Sequence, residues 1–405
     1  METLETSLKR DRLMLVAGGI MIMLCQLSIT ANCFSLFIIP ICESLGFARG
    51  MFSWTQSCLS LGGTVASLAS GYIFSRYGIV PCMRVAGILS TALYFAQSFA
   101  GSIPAFYVIN FGIGFFNCFC TSMPLSLLIG ERFTEKRNTV VGIVMMGSGF
   151  GTSLFNMVAS SLILSMGWRG AMRVLGCIMG LVALISYFVL VRELKSGNNK
   201  QPQQQAAEPE APVLMDPFFR GKRILIALMC MFIAIGAGTF MNTVQPHLRD
   251  IGYSQTFAAN VYSISMLFMA VGKILHGTII DKWGVRVSNS VMLITALMGL
   301  WGSMNFKSPV YTGLICIGMM FISSLAVVGA PALAEALGGL AQKKYFIGKL
   351  SASISFGYFI APLIYGAVYD KVGSYMPMYY VAGAILLTCL AGVQLLLPKR
   401  KDYVK

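Results

Sequence analysis

Twelve stretches of this 405-residue chain are long and apolar enough to cross a bilayer, at about residues 13–40, 51–74, 82–101, 104–129, 138–164, 168–191, 223–247, 256–280, 287–306, 309–337, 346–368 and 376–397. Hydrocarbon offers backbone N–H and C=O groups no partner, so a spanning segment must satisfy them itself. Barrel strands would show shorter, alternating segments, which this sequence lacks. The first run is too long for a signal peptide and has no small-residue cleavage site, so it reads as a retained span. The expected fold class is therefore an all-α integral membrane protein with twelve transmembrane helices.

Charge then orients the chain. Lys and Arg number 30 against 15 Asp and Glu, a net charge of +15. A basic balance can signal nucleic acid, but only 11% of residues are charged at all, too few for a phosphate-binding surface. Alternate loops together with both termini carry 23 of the 30 cations and the opposite loops carry 6, leaving Lys273 inside a span. By the positive-inside rule both termini should be cytoplasmic, in a multi-pass protein of the cell membrane. The basic face should meet anionic lipid, with no nucleic-acid partner.

Between the sixth and seventh spans lies one extended polar stretch, containing Gln201-Pro202-Gln203-Gln204-Gln205 and Glu208-Pro209-Glu210. Its composition is that of a flexible linker. It divides the chain into an N-terminal six-helix bundle (1–191), a cytoplasmic linker (192–222) and a C-terminal six-helix bundle (223–405). Pro40, Gly46, Gly71 and Gly78 recur as Pro246, Gly252, Gly277 and Gly284, each 206 residues later, as expected of a duplicated unit. Two such bundles, related by an axis along the membrane normal, are the plan of a secondary transporter.

After the eighth span stands Gly277-Thr-Ile-Ile-Asp281-Lys282-Trp283-Gly284-Val285-Arg286, with a counterpart after the second span, Gly71-Tyr-Ile-Phe-Ser75-Arg76-Tyr77-Gly78. These resemble the loop signature of the major facilitator superfamily, G-x-x-x-D-R/K-x-G-x-R. The resemblance implies two pseudo-symmetric bundles, alternating access, and gating roles for Gly71, Arg76, Gly78, Gly277, Asp281 and Arg286. The glycines let helices approach, and the Asp can pair with an Arg or meet a helix N-terminus. The first copy has Ser75 where the signature has Asp, which weakens a charge-based latch in that half. Leu45 to Ser53, Arg132 to Arg137 followed by Gly142, Gly147 and Gly151, Gly167-Trp168-Arg169, and Pro362 to Tyr375 are similar to segments of the monocarboxylate porter and oxalate–formate antiporter branch.

A charge at mid-bilayer is costly, so each one is a functional candidate. No carboxylate falls near the middle of a span; Asp281 belongs to the loop signature and Glu335 lies near the cytoplasmic end of span ten. Lys273 is the clear intramembrane cation, and in the resembled branch a basic residue at this place binds substrate carboxylate. Lys349 opens span eleven where oxalate–formate antiporters have an anion-binding Lys; the residue alone also reads as an interfacial anchor. Branch members carry an Asp one turn before the span-eight cation, and here that place is Met269. Asn32 aligns with a cavity-lining position of the family, although a helix–helix hydrogen bond is the more natural use for it.

Two His, His247 and His276, and eleven Cys without C-x-x-C spacing make no metal cluster. There is no phosphate-binding loop and no nucleophile–base set, so no cofactor and no enzymatic activity are expected. The expected function is secondary transport of a small mono- or dicarboxylate, by exchange or symport, in a protein acting as a monomer. A multidrug exporter of the same fold is the alternative, and it usually needs an embedded acid.

Overall fold

A computed structural model describes residues 2–47, 49–133, 135–191, 217–308, 310–397 and 399. The linker expected at 192–222 lies, up to residue 216, outside the described residues. Every regular element among the described residues is helical. The first span runs from α1 (Glu2–Ile22) through a π-helical stretch, Met23–Asn32, and a 3-10 turn, Cys33–Phe37, into α2 (Ile38–Leu45). Next come α3 (Arg49–Tyr77), α4 (Ile79–Gln97), and a fourth span split at Thr121 into α5 (Ile103–Cys120) and α6 (Ser122–Arg132).

α7 (Arg137–Leu184) is 48 residues long, about 72 Å if straight, more than twice the hydrocarbon thickness. It breaks at Gly167, whose φ of 71° and ψ of 172° are not helical, so it holds the fifth and sixth spans. The second half follows with α8 (Pro217–Asp250), α9 (Gln255–Trp283) and α10 (Val285–Met304). α11 (Tyr311–Ile322) passes through a π-helical stretch, Leu325–Gly329, into α12 (Ala330–Val372), and α13 (Met376–Leu396) ends the bundle. Val327 and Pro362 line one cavity, yet a straight helix would hold them about 50 Å apart; the chain therefore reverses between the tenth and eleventh spans. Eleven apolar helices of membrane-crossing length are found among the described residues, and dividing α7 gives twelve spans.

The duplication is visible in the backbone. Glycines with positive φ among the described residues form three pairs, each 206 residues apart: Gly46 with Gly252, Gly78 with Gly284, and Gly167 with Gly373. Their φ values are 70° and 98°, 81° and 87°, and 71° and 69°. A side chain would be strained at each, so glycine is retained where each half turns.

α7 joins the two halves through small residues. On one face, a Cβ added at Gly147 or Gly151 would strike Ile20 O or Leu24 O of the first span. On another, Gly142 lies against Lys273 O and Gly149 against Ala270, both on α9 of the other half. Such close approach lets backbones pack where lipid supplies no hydrophobic drive. At the end remote from the termini, Phe52, Phe106 and Trp168 form an aromatic core of the first half, with Phe52 and Phe106 centroids 5.0 Å apart.

Candidate functional site

The two halves enclose a cavity of about 300 Å³, lined from the first half by Asn32, Gln56, Asn117 and Ser148 and from the second by Lys273, Asn242, Ser355 and Tyr358. Two irregular stretches form part of its wall: Leu27, Ala31 and Asn32 from the first span, and Ala326 and Val327 from the tenth. π-helical insertions recur at functional sites because they redirect side chains out of the regular helical register.

Lys273 is 3% exposed, and its ammonium donates to Ser148 Oγ at 2.5 Å. The pair crosses the boundary between the halves, α9 to α7. Among the described residues no carboxylate lines this cavity and none pairs with Lys273. A buried ammonium normally requires a counter-ion, since the desolvation penalty amounts to several kcal/mol; here a neutral hydroxyl meets it instead. The backbone around Ser148 is heavily bonded: its carbonyl accepts from Ser28 Oγ at 2.9 Å and from Thr152 Oγ1 at 2.6 Å. Asn32 Nδ2 donates to Thr152 Oγ1 at 2.8 Å, so Asn32 both lines the cavity and ties the first span to α7. Sequence reasoning misses Ser148 and Thr152; the small triplet Gly147-Ser148-Gly149 is the signal that points to Ser148.

Lys349, the second expected substrate residue, lies outside the lining of this cavity. It is exposed, its ammonium bonds Tyr345 Oη and it stands over the Tyr345 ring at 4.1 Å. Helical spacing explains the placement. Ser351, Ser355, Tyr358 and Pro362 form the cavity stripe, Gly348 continues it against Ser67 O, and Lys349 is turned about 100° away. His247 is buried beside Ser303 O at 3.2 Å, and Asn117 donates to Thr30 Oγ1 at 2.8 Å.

At the end bearing the termini the halves are latched. Asp281 accepts from Thr139 N at 2.8 Å, Thr139 Oγ1 at 2.7 Å and Asn138 Nδ2 at 2.8 Å, all in the first turn of α7. Of the two partners the sequence allowed, the acid has taken the helix N-terminus, where it meets unpaired N–H groups and the positive end of the helix dipole. Gly277 makes that approach possible, since a Cβ there would strike Asn138 O. Arg286 instead donates from Nε to Leu397 O at 2.9 Å, closing the end of α13 within its own half. Arg137, next to Asn138, pairs with Glu335 at 2.8 Å, and Glu335 also holds Lys343 at 2.9 Å.

The first copy of the signature differs. Ser75 turns back to Gly71 O, Arg76 donates to Tyr72 Oη at 2.7 Å, and Gly78 ends α3 with φ 81°. Ser75 carries no carboxylate, and its hydroxyl is bonded within its own helix rather than across to the other half.

Comparison with known proteins decides the family. The Major Facilitator Superfamily profile matches residues 18–328 and 234–405. The chain belongs to the Major Facilitator Superfamily. It is 23% identical over 406 residues to Monocarboxylate transporter 12 of Xenopus laevis, covering 93% of this chain and 86% of the relative. Monocarboxylate transporter 13 of Bos taurus is 24% identical over 371 residues, covering 90% of this chain and 84% of the relative. Among solved structures, the proton:xylose symporter XylE bound to 6-bromo-6-deoxy-D-glucose superposes with a TM-score of 0.73 at 15% identity, covering 99% of this chain and 98% of that one. FucP, solved in the outward conformation, gives a TM-score of 0.70 at 14% identity, covering 96% of this chain and 100% of that one. The protein is thus a multi-pass membrane transporter, not an enzyme, and its two pseudo-symmetric bundles are those of the superfamily.

Proposed function

We propose that this transporter moves a small organic anion carrying a carboxylate, by alternating access of the central cavity. The observation that carries the reading is Lys273, a buried cation facing a cavity that has no carboxylate lining among the described residues. A substrate carboxylate supplies the missing counter-charge, while Asn32, Gln56 and Asn242 offer neutral hydrogen bonds to the rest of the molecule. One cavity-facing cation suits one carboxylate better than two, so a monocarboxylate is favoured over a dicarboxylate. The names of the relatives, monocarboxylate transporters 12 and 13, agree with this. The same lining argues against export of lipophilic cations, which an uncompensated ammonium would repel.

The bias of Lys and Arg toward alternate loops supports a cell-membrane orientation with both termini, and the Asp281 latch, on the cytoplasmic side. Purified protein in proteoliposomes, screened by counterflow against labelled lactate, pyruvate, acetate, oxalate and formate at two pH values, tests the reading. Uptake of at least one carboxylate, lost in Lys273→Gln, is the expected result. Uptake of tetraphenylphosphonium with no carboxylate uptake would refute it.

A further inference from the structure

The 206-residue repeat carries the fifth span onto the eleventh and the second onto the eighth. The seam of α7 with α9 and the seam of α3 with α12 are therefore mates, facing each other across the central cavity. Gly142 against Lys273 O in one is matched by Gly348 against Ser67 O in the other, which sets Lys273 and Ser67 at one depth. The two seams are not chemically alike. The first holds the cation, Lys273, with Ser148. In the second the place of Lys273 belongs to Ser67, whose hydroxyl lies 3.3 Å from Cys118 Sγ, and the cavity wall beyond it carries only neutral polar groups.

Those groups form two rungs, each drawn from both halves. Counted away from the latched end, Ser60 and Ser355 stand seven residues, about 10 Å, beyond Ser67 and Gly348. Gln56 and Tyr358 stand eleven and ten residues beyond the same pair, about 15–17 Å. The alignment of α3 with α12 is visible at this depth: Ser57 Oγ donates to Phe359 O at 3.5 Å, and a Cβ added at Gly63 would stand 3.7 Å from Ser355 Oγ. Ser60, Gln56, Ser355 and Tyr358 all line the cavity, and none spends its side-chain polar atoms on another described residue. Leu59 and Ile354 line the wall beside them.

We propose that the substrate is a polyhydroxy monocarboxylate of the sugar-acid class, which, resting on the carboxylate reading above, binds with its carboxylate at Lys273 and its hydroxyls on the rungs of the opposite seam. A short acid held at Lys273 leaves the rungs unmet across the cavity and much of its volume of about 300 Å³ unfilled. A plain fatty chain fills the space but takes water from the same hydroxyls and amide without replacing its hydrogen bonds, which is how polar sites reject analogues lacking a hydroxyl. An amino acid brings a second ammonium into a cavity with no carboxylate lining among the described residues. A polyol chain alternates hydroxyls with C–H faces and so matches both the rungs and the apolar side chains of Leu59 and Ile354. Because each rung takes one group from each half, a chain that engages both rungs also draws the halves together around itself. Gln56 and Tyr358, farthest from the cation, are the residues that distinguish a long hydroxylated acid from a short one.

The test measures uptake of labelled gluconate, lactate, hexanoate and glucose by the full-length protein in proteoliposomes. Gluconate should show a KM about tenfold or more below those of lactate and hexanoate, and glucose, which lacks the carboxylate, should not enter. Gln56→Leu and Tyr358→Phe should each raise the ratio of gluconate KM to lactate KM about fivefold, the effect expected of one neutral hydrogen bond, with lactate uptake reporting a folded carrier. A lactate or hexanoate KM equal to or below that of gluconate would overturn the sugar-acid assignment and leave the carboxylate reading standing. So would a gluconate to lactate ratio unmoved in both variants. Uptake of none of the three acids, with or without uptake of glucose, would overturn both.

Discussion

Lys273 of the second half donates to Ser148 Oγ of the first at 2.5 Å, and the carbonyl of the same lysine rests against Gly142 of the same partner helix. One residue thus supplies both the cavity's charge and part of the seam between the halves. Under the proposed function, a carboxylate arriving at Lys273 would compete with Ser148 for the ammonium, so that loading the site would loosen a bond between the halves.

Lys273→Gln should abolish anion uptake or raise the anion KM steeply. Losing one member of a buried charge pair costs about 2–5 kcal/mol, roughly 30-fold to several-thousand-fold in affinity. Lys273→Arg should retain part of the activity with altered selectivity, since the guanidinium is planar and bidentate. Uptake kinetics in proteoliposomes measure both.

Lys349→Gln should change anion KM by no more than about twofold, the size of effect expected from an exposed interaction. A loss comparable to that of Lys273→Gln would return Lys349 to the anion path.

Asp281→Asn should open the end that bears the termini more often. It removes an anion from the first turn of α7, where such a charge is worth about 0.3–1 kcal/mol and up to about 2 when partly buried. In a variant whose only cysteine is Cys118, which lines the cavity, a membrane-impermeant thiol reagent applied from that side should react several-fold faster once Asp281→Asn is added. Ser75→Asp offers a complementary test, adding in the first half the acid that the second possesses.

Gly142→Leu and Gly348→Leu should each prevent the halves from closing at that end and reduce transport at least tenfold. A Cβ at Gly142 would strike Lys273 O, and one at Gly348 would lie 2.6 Å from Ser67 O. Gly142 and Gly348 are 206 residues apart, as are Ser67 and Lys273, so the two contacts are symmetry mates. Labelled-anion uptake, normalised to protein in the membrane by blotting, gives the result.

Co-expressed fragments 1–200 and 217–405 should assemble and transport, because each half holds six spans and the seam between them is formed by α7 with α9 and by α3 with α12. Fragment association in mild detergent and uptake in cells check this.

Much of the architecture is legible in the sequence because lipid leaves the backbone so few choices. A run of about 20 apolar residues must be a helix, and the 206-residue spacing of the turn glycines reveals the repeat from the residues alone. Lys273 reads as a buried cation from nothing more than its place in an otherwise apolar run. Lys349 cannot be settled that way: one residue on a helix is a turn of about 100°, enough to move a side chain from the cavity stripe to the outside.

What the sequence by itself determined is the number of spans, their grouping in two halves, the cation in span eight and the lack of an acid beside it. What only the tertiary structure decided is which groups from distant parts of the chain meet: Ser148 with Lys273, Asp281 with the first turn of α7, Phe321 and Gly329 around His276. The physical reason is that hydrophobicity and helix period act locally, within a few turns, while pairing between helices depends on rotation and depth. Those are fixed by small-residue contacts such as Gly142 on Lys273 O and Gly277 on Asn138 O, which exist only once the two halves have packed.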